Sequence, residues 1–345
     1  MLTLPAILLS VFFLYGCNRD EIISPLDSSV DTPHKLGAYV LSEGSASGEQ
    51  SRLSFLSFQT NVFSQNITSP EQLGIYANGM VTYLGKFYIV EEGSPGSQGK
   101  IYKMDTNGVI MASNSLGKNP YSIAAVNGKA YCTNGPDSTV SVINLNSLNE
   151  TKRIKVGVFP QEIFALDLKV FVCNTKNLYG GAVDSTISVI NSTTDNVIAK
   201  IKVNSAPSSL ALSRDGFLLA GTAGGNGYIY KIAPSNYVKV DSFFVNALMV
   251  KDICVDYLSD DVYFISSPTT ITKYNLITRS RTDVISGLPL VSVNGYGYDW
   301  KKRNHYIADA INMASNGYLY KYTYTGFVES VFQTGVSPRR VLIRN

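Results

Sequence analysis

Histidine is almost missing from this sequence: His34 and His305 are the only two among 345 residues. That leaves too few imidazoles for a His-rich metal centre and argues against a Ser-His-Asp triad, in which a histidine must carry the proton. His34 sits in a proline-flanked linker. His305 opens a strand after the charged turn Lys301–Asn304, so a plain turn or strand-edge role is expected for it. Charge is also scarce, at 16% of residues with a net charge of +3 and no basic run. Without a concentrated positive surface to neutralise phosphates, no nucleic-acid partner is expected. Cysteine is rare as well. Apart from Cys17, only Cys132, Cys173 and Cys254 occur, an odd number at strand interiors. They read as small buried hydrophobes, and no structural disulfide is expected. The glycine-rich stretch Gly221–Gly227 lies between two strands. With no helix to follow it, it is no phosphate loop, and no cofactor is expected. The apolar run at residues 1–16 is too short for a bilayer, which takes about 20 residues. It fits the apolar region of a secretory signal peptide.

What the sequence does have is repetition. Seven copies of one short pattern begin at Ser51, Gly99, Ser138, Ser185, Gly227, Thr269 and Gly317, typified by Ser138-Thr-Val-Ser-Val-Ile-Asn-Leu145. Their starts lie 48, 39, 47, 42, 42 and 48 residues apart. A period in the low forties built only of strands marks a β-propeller blade, so seven repeats predict an all-β, seven-bladed β-propeller. The chain is 45% hydrophobic with 22 Tyr and 15 Phe, ample for the core of a large ring.

Each repeat reads as four strands. The innermost is short and rich in small residues, as in Tyr121–Val126 and Ser208–Leu212, and Pro120, Pro160, Pro207 and Pro338 stand at strand entries. Proline cannot donate to a ladder, so it belongs there. The second strand is aromatic and β-branched (Phe87–Val90, Val170–Cys173), the third is the repeated pattern, and the fourth is polar (Thr151–Val156). Lysines on that outer edge oppose strand-to-strand aggregation. Ser337–Ile343 looks like an innermost strand without a blade, and Gly37–Leu41 like a second strand without its first. The N- and C-terminal strands are therefore expected to complete one blade together. The expected organisation is a signal peptide at 1–16, a flexible tether at 17–36 and a single propeller at 37–345.

In such a ring, loops entering innermost strands and loops leaving second strands meet on one face around the axis. The second-strand ends bring Glu43, Glu91, Asn134, Asn174, Thr222, Ser266 and Asp309 to that face. The entry loops add Tyr76, Asn78, Tyr121, Phe159, Gln161, Met249, Lys251, Asn294 and Arg339. Amides, carboxylates and aromatic planes together suit a large amphipathic ligand. The bland alternative is that Asn or Asp at a strand end caps a turn by bonding nearby backbone. Glu43, Glu91 and Asp309 raise the further expectation of three carboxylates converging on the axis for a cation or for acid–base chemistry. Two loops stand out, Glu92–Gly99 and the insertion at 174–183 that carries Tyr179. Loops of this kind often carry function.

Several strings resemble known families. Leu14-Tyr-Gly-Cys17 resembles a bacterial lipobox, which implies acylation of Cys17, and the acidic pair in Asn18–Glu21 resembles a surface-export signal of gram-negative bacteria. Tyr131–Asn134 with Asp137–Leu145, and Phe171–Asn174 with Asp184–Asn191, resemble the YVTN-type propeller repeat. Gly295–Trp300, Tyr306–Asp309, Gly317–Tyr322 and Phe332–Pro338 look like the closing blade of the YncE-like, DUF5074-type surface lipoproteins. Some members of that group capture cobalamin and pass it to a TonB-dependent transporter. The resemblance implies a non-enzymatic, lipid-anchored protein of the outer membrane, displayed at the cell surface, that binds a small ligand such as a corrinoid beside a transporter. Its membrane contact would be the lipid alone. The candidate ligand residues, taken from the strand ends and loops of the axial face, are Glu43, Tyr76, Asn78, Glu91, Tyr121, Asn134, Phe159, Gln161, Asn174, Tyr179, Asp309 and Arg339, with no catalytic or metal-binding residue expected. The alternatives are a scaffold binding a protein or glycan on the same face and a propeller lyase or lactonase.

Overall fold

A computed structural model describes residues 35–69, 73–176, 183–224 and 226–345. The signal peptide, Cys17, His34, nearly all of the tether and Tyr179 lie outside the described residues. The rest is all-β: seven four-stranded antiparallel sheets, each one blade. The seven sequence repeats fall on the third strands, from Arg52–Ser57 in the first blade to Asn316–Tyr322 in the seventh.

Burial explains why these segments are strands with so little polar alternation. Successive side chains of a strand point to opposite faces, and here both faces are covered by a neighbouring blade. Seven hydrophobic clusters occur among the described residues, one at each blade-to-blade contact. Phe164, Phe171 and Ile187 of the fourth blade pack with Leu210, Leu218 and Tyr230 of the fifth. Val81, Tyr88 and Ile101 of the second meet Ile123, Cys132 and Ile143 of the third. Each fully buried Val, Leu, Ile or Phe contributes about 1.5–3 kcal/mol. Cys132, Cys173 and Cys254 are free, buried members of these clusters. The outermost strands are polar and exposed, as in Glu150–Lys155, where Thr151, Lys152 and Arg153 face solvent.

The ring closes as the terminal strands predict. Gly37–Ser42 pairs on one side with Arg52–Ser57 and on the other with Pro338–Arg344, with Ala38 opposite Ile343 and Tyr39 opposite Leu342. Ala38, Val40 and Ile343 then pack on Tyr306, Ala308 and Leu319 of the seventh blade.

His305 differs from the sequence expectation. It is carried inward rather than left at an edge, and is wholly buried. Its Nδ1 lies 2.7 Å from Tyr296 Oη, and its ring packs edge-on against Tyr263. Burial pushes its pKa down to about 4.

Candidate functional site

The innermost strands are Ala77–Tyr83, Pro120–Val126, Pro160–Leu166, Ala206–Leu212, Lys251–Val255, Val293–Asp299 and Pro338–Arg344. All seven carry a β-bulge at their entry. The register against the second strand gains one residue between Ala77 and Gly79, Pro120 and Ile123, Pro160 and Ile163, and Pro207 and Ser209. It does so again between Lys251 and Cys254, Val293 and Gly295, and Pro338 and Arg340. A bulge breaks the strict alternation of side chains and re-aims the extra residue. Here the extra residues are delivered to one mouth of the axis. Several residues just before these strands hold left-handed backbone, among them Tyr76 (φ 60°), Phe159 (φ 45°) and Ser337 (φ 53°). Such conformations cost of order 1–3 kcal/mol for bulky residues, and packing elsewhere must offset that.

The contacts prove the placement, because only axial side chains can meet partners from blades that do not touch. Arg340, on the closing strand, donates from Nη2 to Glu162 Oε1 in the fourth blade at 2.7 Å. Its Nε donates to the Asn78 carbonyl in the second at 2.8 Å, and its Nη1 lies 3.6 Å from Asp252 Oδ1 in the sixth. Arg339 bonds the Tyr121 hydroxyl in the third blade and donates to the Asn294 carbonyl in the seventh at 3.0 Å. Both guanidinium groups lie over the Tyr121 ring, at 5.7 and 5.8 Å from its centroid. Glu43 accepts from Ser337 Oγ at 2.6 Å and lies 3.8 Å from Arg339 Nε. Lys251 Nζ donates to the carbonyl and side chain of Asn294 at 2.6 and 3.1 Å. Gly295 is required beside this cluster: a Cβ there would lie 2.5 Å from the Arg339 carbonyl of the neighbouring strand.

Two groups at the mouth are strongly perturbed. Burial, and then repulsion from Glu43, pushes the Glu92 carboxyl up to about 7, although Asn78 donates to it and Arg339 attracts it. Burial, and then repulsion from Arg339, brings the Lys251 ammonium down to about 7. Asn78 is buried, and its side-chain oxygen has no hydrogen-bond partner among the described residues. The mouth therefore offers donors, acceptors and two groups that change charge near neutrality. No cluster of three His, Cys, Asp or Glu able to hold a metal ion occurs among the described residues.

Of the residues expected here from sequence, Glu43, Asn78, Tyr121 and Arg339 share this axial network, as do Lys251 and Asn294. Tyr76 and Gln161 are half-buried, and the bonds that place them are made by their backbone. Tyr76 joins the network in this way, its N–H donating to the Glu43 carbonyl at 2.6 Å and its carbonyl accepting from Glu92 N–H at 2.9 Å. The Gln161 carbonyl accepts from Thr133 at 2.7 Å. Phe159 is buried with its ring against Gly135.

Four others bond within the blades instead. Glu91 accepts from Gly74 N–H at 2.6 Å and from Tyr102 Oη at 2.8 Å. Asn134 donates to Ser141 at 2.9 Å. Asn174 accepts from Gly157 N–H at 3.0 Å and donates to Ser188 at 2.9 Å. Asp309 accepts from the N–H groups of Val291, Ser292 and Ile311 at 2.7, 2.8 and 2.9 Å. The three acids expected to converge thus serve separate partners: Glu43 the axis, Glu91 and Asp309 the turns. Sequence reading missed Glu162, Asp252 and Arg340, and named Glu92 only as the start of a loop. Glu162 and Arg340 each stand two residues past an entry proline, the one signal that could have found them.

The DUF5074 model, a domain of unknown function, matches residues 36–296. No curated protein matches the chain in sequence. Solved structures show the same ring. A quinoprotein alcohol dehydrogenase-like protein from Bacteroides thetaiotaomicron is 17% identical at a TM-score of 0.71, over 90% of this chain and 78% of its own. A candidate 6-phosphogluconolactonase from Bacteroides fragilis is 12% identical at 0.68, over 92% and 100%. A second candidate 6-phosphogluconolactonase, from Bacteroides uniformis, is 14% identical at 0.69, over 90% and 100%. At these identities the likeness is one of fold.

Proposed function

The chain belongs to the DUF5074 family, and on that premise we propose that it is a non-catalytic binding propeller that captures a small polar ligand at its axial mouth. The observation that carries this reading is the buried network of Arg339, Arg340, Glu162 and Asp252 at the bulged strand entries. Buried ion pairs are weak devices for stability, since well-packed apolar residues of similar volume often serve as well or better. Seven bulges that deliver polar groups to one place are better accounted for by recognition.

A corrinoid is the ligand we favour. Its amide side chains match Asn78, Asn294 and Gln161, its phosphate matches the cationic side chains, and its faces match Tyr76 and Tyr121. On this reading Cys17 carries the lipid that holds the propeller at the outer membrane, and a transporter receives the ligand. Calorimetric titration with cyanocobalamin tests the ligand. Saturable one-to-one binding, weakened in Tyr121→Ala and Asn78→Ala proteins of unchanged fold, supports it. No heat and no thermal stabilisation would remove it. Incorporation of labelled fatty acid, lost in Cys17→Ser, tests the anchor.

A second reading is favoured by the placement of two buried groups at the same mouth: burial pushes the Glu92 carboxyl up, and the Lys251 ammonium down, to about 7. That is where general acids and bases work best. Hydrolysis of a sugar lactone, lost in Glu92→Gln and in Lys251→Met, would replace capture with catalysis.

A further inference from the structure

Two cations at the mouth converge on a single neutral oxygen. Lys251 Nζ and Arg339 Nη1 both donate to the Asn294 carbonyl, at 2.6 and 3.0 Å. Three consecutive blades, the sixth, seventh and first, bring them there. Like charges this close repel, and more so away from water. Asp252, Glu162 and Glu43 favour the charged form of Arg339, and Asp252 and Glu162 that of Lys251, so the acids offset part of this repulsion without a short contact to either cation. Lys251 forms no ion pair among the described residues, and Arg339 lies at 3.8 Å from Glu43 and 3.7 Å from Glu162. The short contact of Glu162, at 2.7 Å, is made to Arg340 instead. Burial and the Arg339 charge bring the Lys251 ammonium down to about 7, against the opposing pull of Asp252 and Glu162.

Exposed apolar side chains occur on the chain segments that lead into the strands of Lys251 and Asn294. Leu248 stands three residues before Lys251 and is 67% exposed; Leu288 and Val291, on the chain leading to Val293–Asp299, are 90% and 49% exposed. Met313 lies against the seat itself, its sulfur 4.0 Å from Asn294 Nδ2 and 3.4 Å from Ser337 Oγ.

We propose that the corner between Lys251 and Arg339, over Asn294, seats an oxyanion of the ligand, a carboxylate or a phosphate, whose apolar portion lies over Met313. This rests on the reading that the mouth binds a small molecule. An oxyanion placed there accepts from the remaining ammonium and guanidinium donors. Such charge-assisted bonds are roughly twice as strong as neutral ones, and the planar guanidinium fork matches two oxygens at once. The oxyanion also separates the two cations electrostatically. Glu43, bonded to Ser337 at 2.6 Å, limits the anion to the Lys251 side of Arg339. The charged groups facing Lys251 are Asp252 and Glu162, which favour its ammonium form, and Arg339 and Arg340, which oppose it. A bound anion adds to the favouring side, so binding at pH 8 takes up a proton.

Titration calorimetry of the full chain tests this with sodium octanoate, octyl phosphate, inorganic phosphate and the neutral octyl glucoside. One or more of the anions binds one-to-one and octyl glucoside does not. Comparing octanoate with octyl phosphate tells carboxylate from phosphate, and inorganic phosphate tests the head group alone. Lys251→Met weakens binding about tenfold or more, the loss of one charged hydrogen bond. At pH 8 the binding heat depends on the ionisation enthalpy of the buffer, reporting uptake approaching one proton, and that dependence vanishes in Lys251→Met. Thermal unfolding checks the fold of the variant, and Lys251→Gln replaces it if it fails. Equal binding by Lys251→Met, or no binding of any anion, overturns the proposal. Cyanocobalamin bound equally by wild type and Lys251→Met would overturn it while leaving capture at the mouth intact. Anion binding with no cyanocobalamin binding would uphold it and remove the corrinoid.

Discussion

Arg340 donates to Glu162 across the axis at 2.7 Å, joining two buried side chains 178 positions apart in the sequence. With its bond to the Asn78 carbonyl and its approach to Asp252, this one guanidinium ties the closing blade to the second, fourth and sixth. Removing one partner strands the other charge. Glu162→Ala should therefore cost about 3–5 kcal/mol, whereas a double change of Arg340→Met and Glu162→Leu should recover most of it. Denaturant unfolding of the three proteins measures this, and additive losses would show that the two side chains do not act as a pair.

Ring closure depends on Pro338–Arg344 as the innermost strand of the first blade. Leu342 and Ile343 are buried on its two sides, in the clusters shared with the second and seventh blades. Ile343→Ala should destabilise by about 2–5 kcal/mol, the usual range for a buried Ile. Deleting residues 338–345 removes the whole strand and opens the ring at both contacts. The expected result is one lowered, broadened transition for the entire protein. A truncated protein that kept the parent midpoint and merely frayed would contradict this account of closure.

The architecture was legible because every blade solves the same packing problem. Strands covered on both sides need unbroken apolar runs such as Val170–Cys173, and the third-strand pattern recurs because its neighbours recur. Closure was legible for the same reason: each terminal segment matched one strand type and lacked its partners. The site was only half legible. Asn78, Tyr121 and Arg339 could be placed because a residue at a strand entry faces the mouth whatever the register. Glu91 could not be told from Glu92, since one residue decides which way a strand side chain points. Glu162, Asp252 and Arg340 lay hidden behind the bulges, which add a residue that no alternation rule anticipates.

Glu91 separates a structural role from a binding one. Its carboxylate holds Gly74 N–H and the Tyr102 hydroxyl, and a Cβ on Gly74 would lie 2.2 Å from that carboxylate. Glu91→Ala removes the shared acceptor and leaves Gly74 N–H only its longer 3.3 Å bond to the Tyr102 hydroxyl, so it should cost about 1–3 kcal/mol. Ligand affinity at the mouth should not change. A loss of affinity larger than the loss of stability would return Glu91 to the binding surface.

Three perturbed groups give the pH dependence opposing slopes. Glu92 has its folded pKa raised from 4.5 to about 7, so the native state holds more protons across that window and stability falls as pH rises through it. His305 has its folded pKa lowered from 6.5 to about 4, so the unfolded state holds more protons and stability rises over that interval. The two slopes oppose each other between about pH 4.5 and 6.5. Lys251, lowered from 10.5 to about 7, adds a rise in stability above neutrality. Glu92→Gln removes only the falling slope. Relative to wild type it should be unchanged at pH 4 and more stable at pH 8, by up to about 3 kcal/mol at 1.36 kcal/mol per pKa unit. Denaturant midpoints of both proteins at pH 4, 5.5, 7 and 8 decide it. Parallel curves would mean that Glu92 is ionised at neutral pH, and that the mouth carries one more negative charge than its burial beside Glu43 implies.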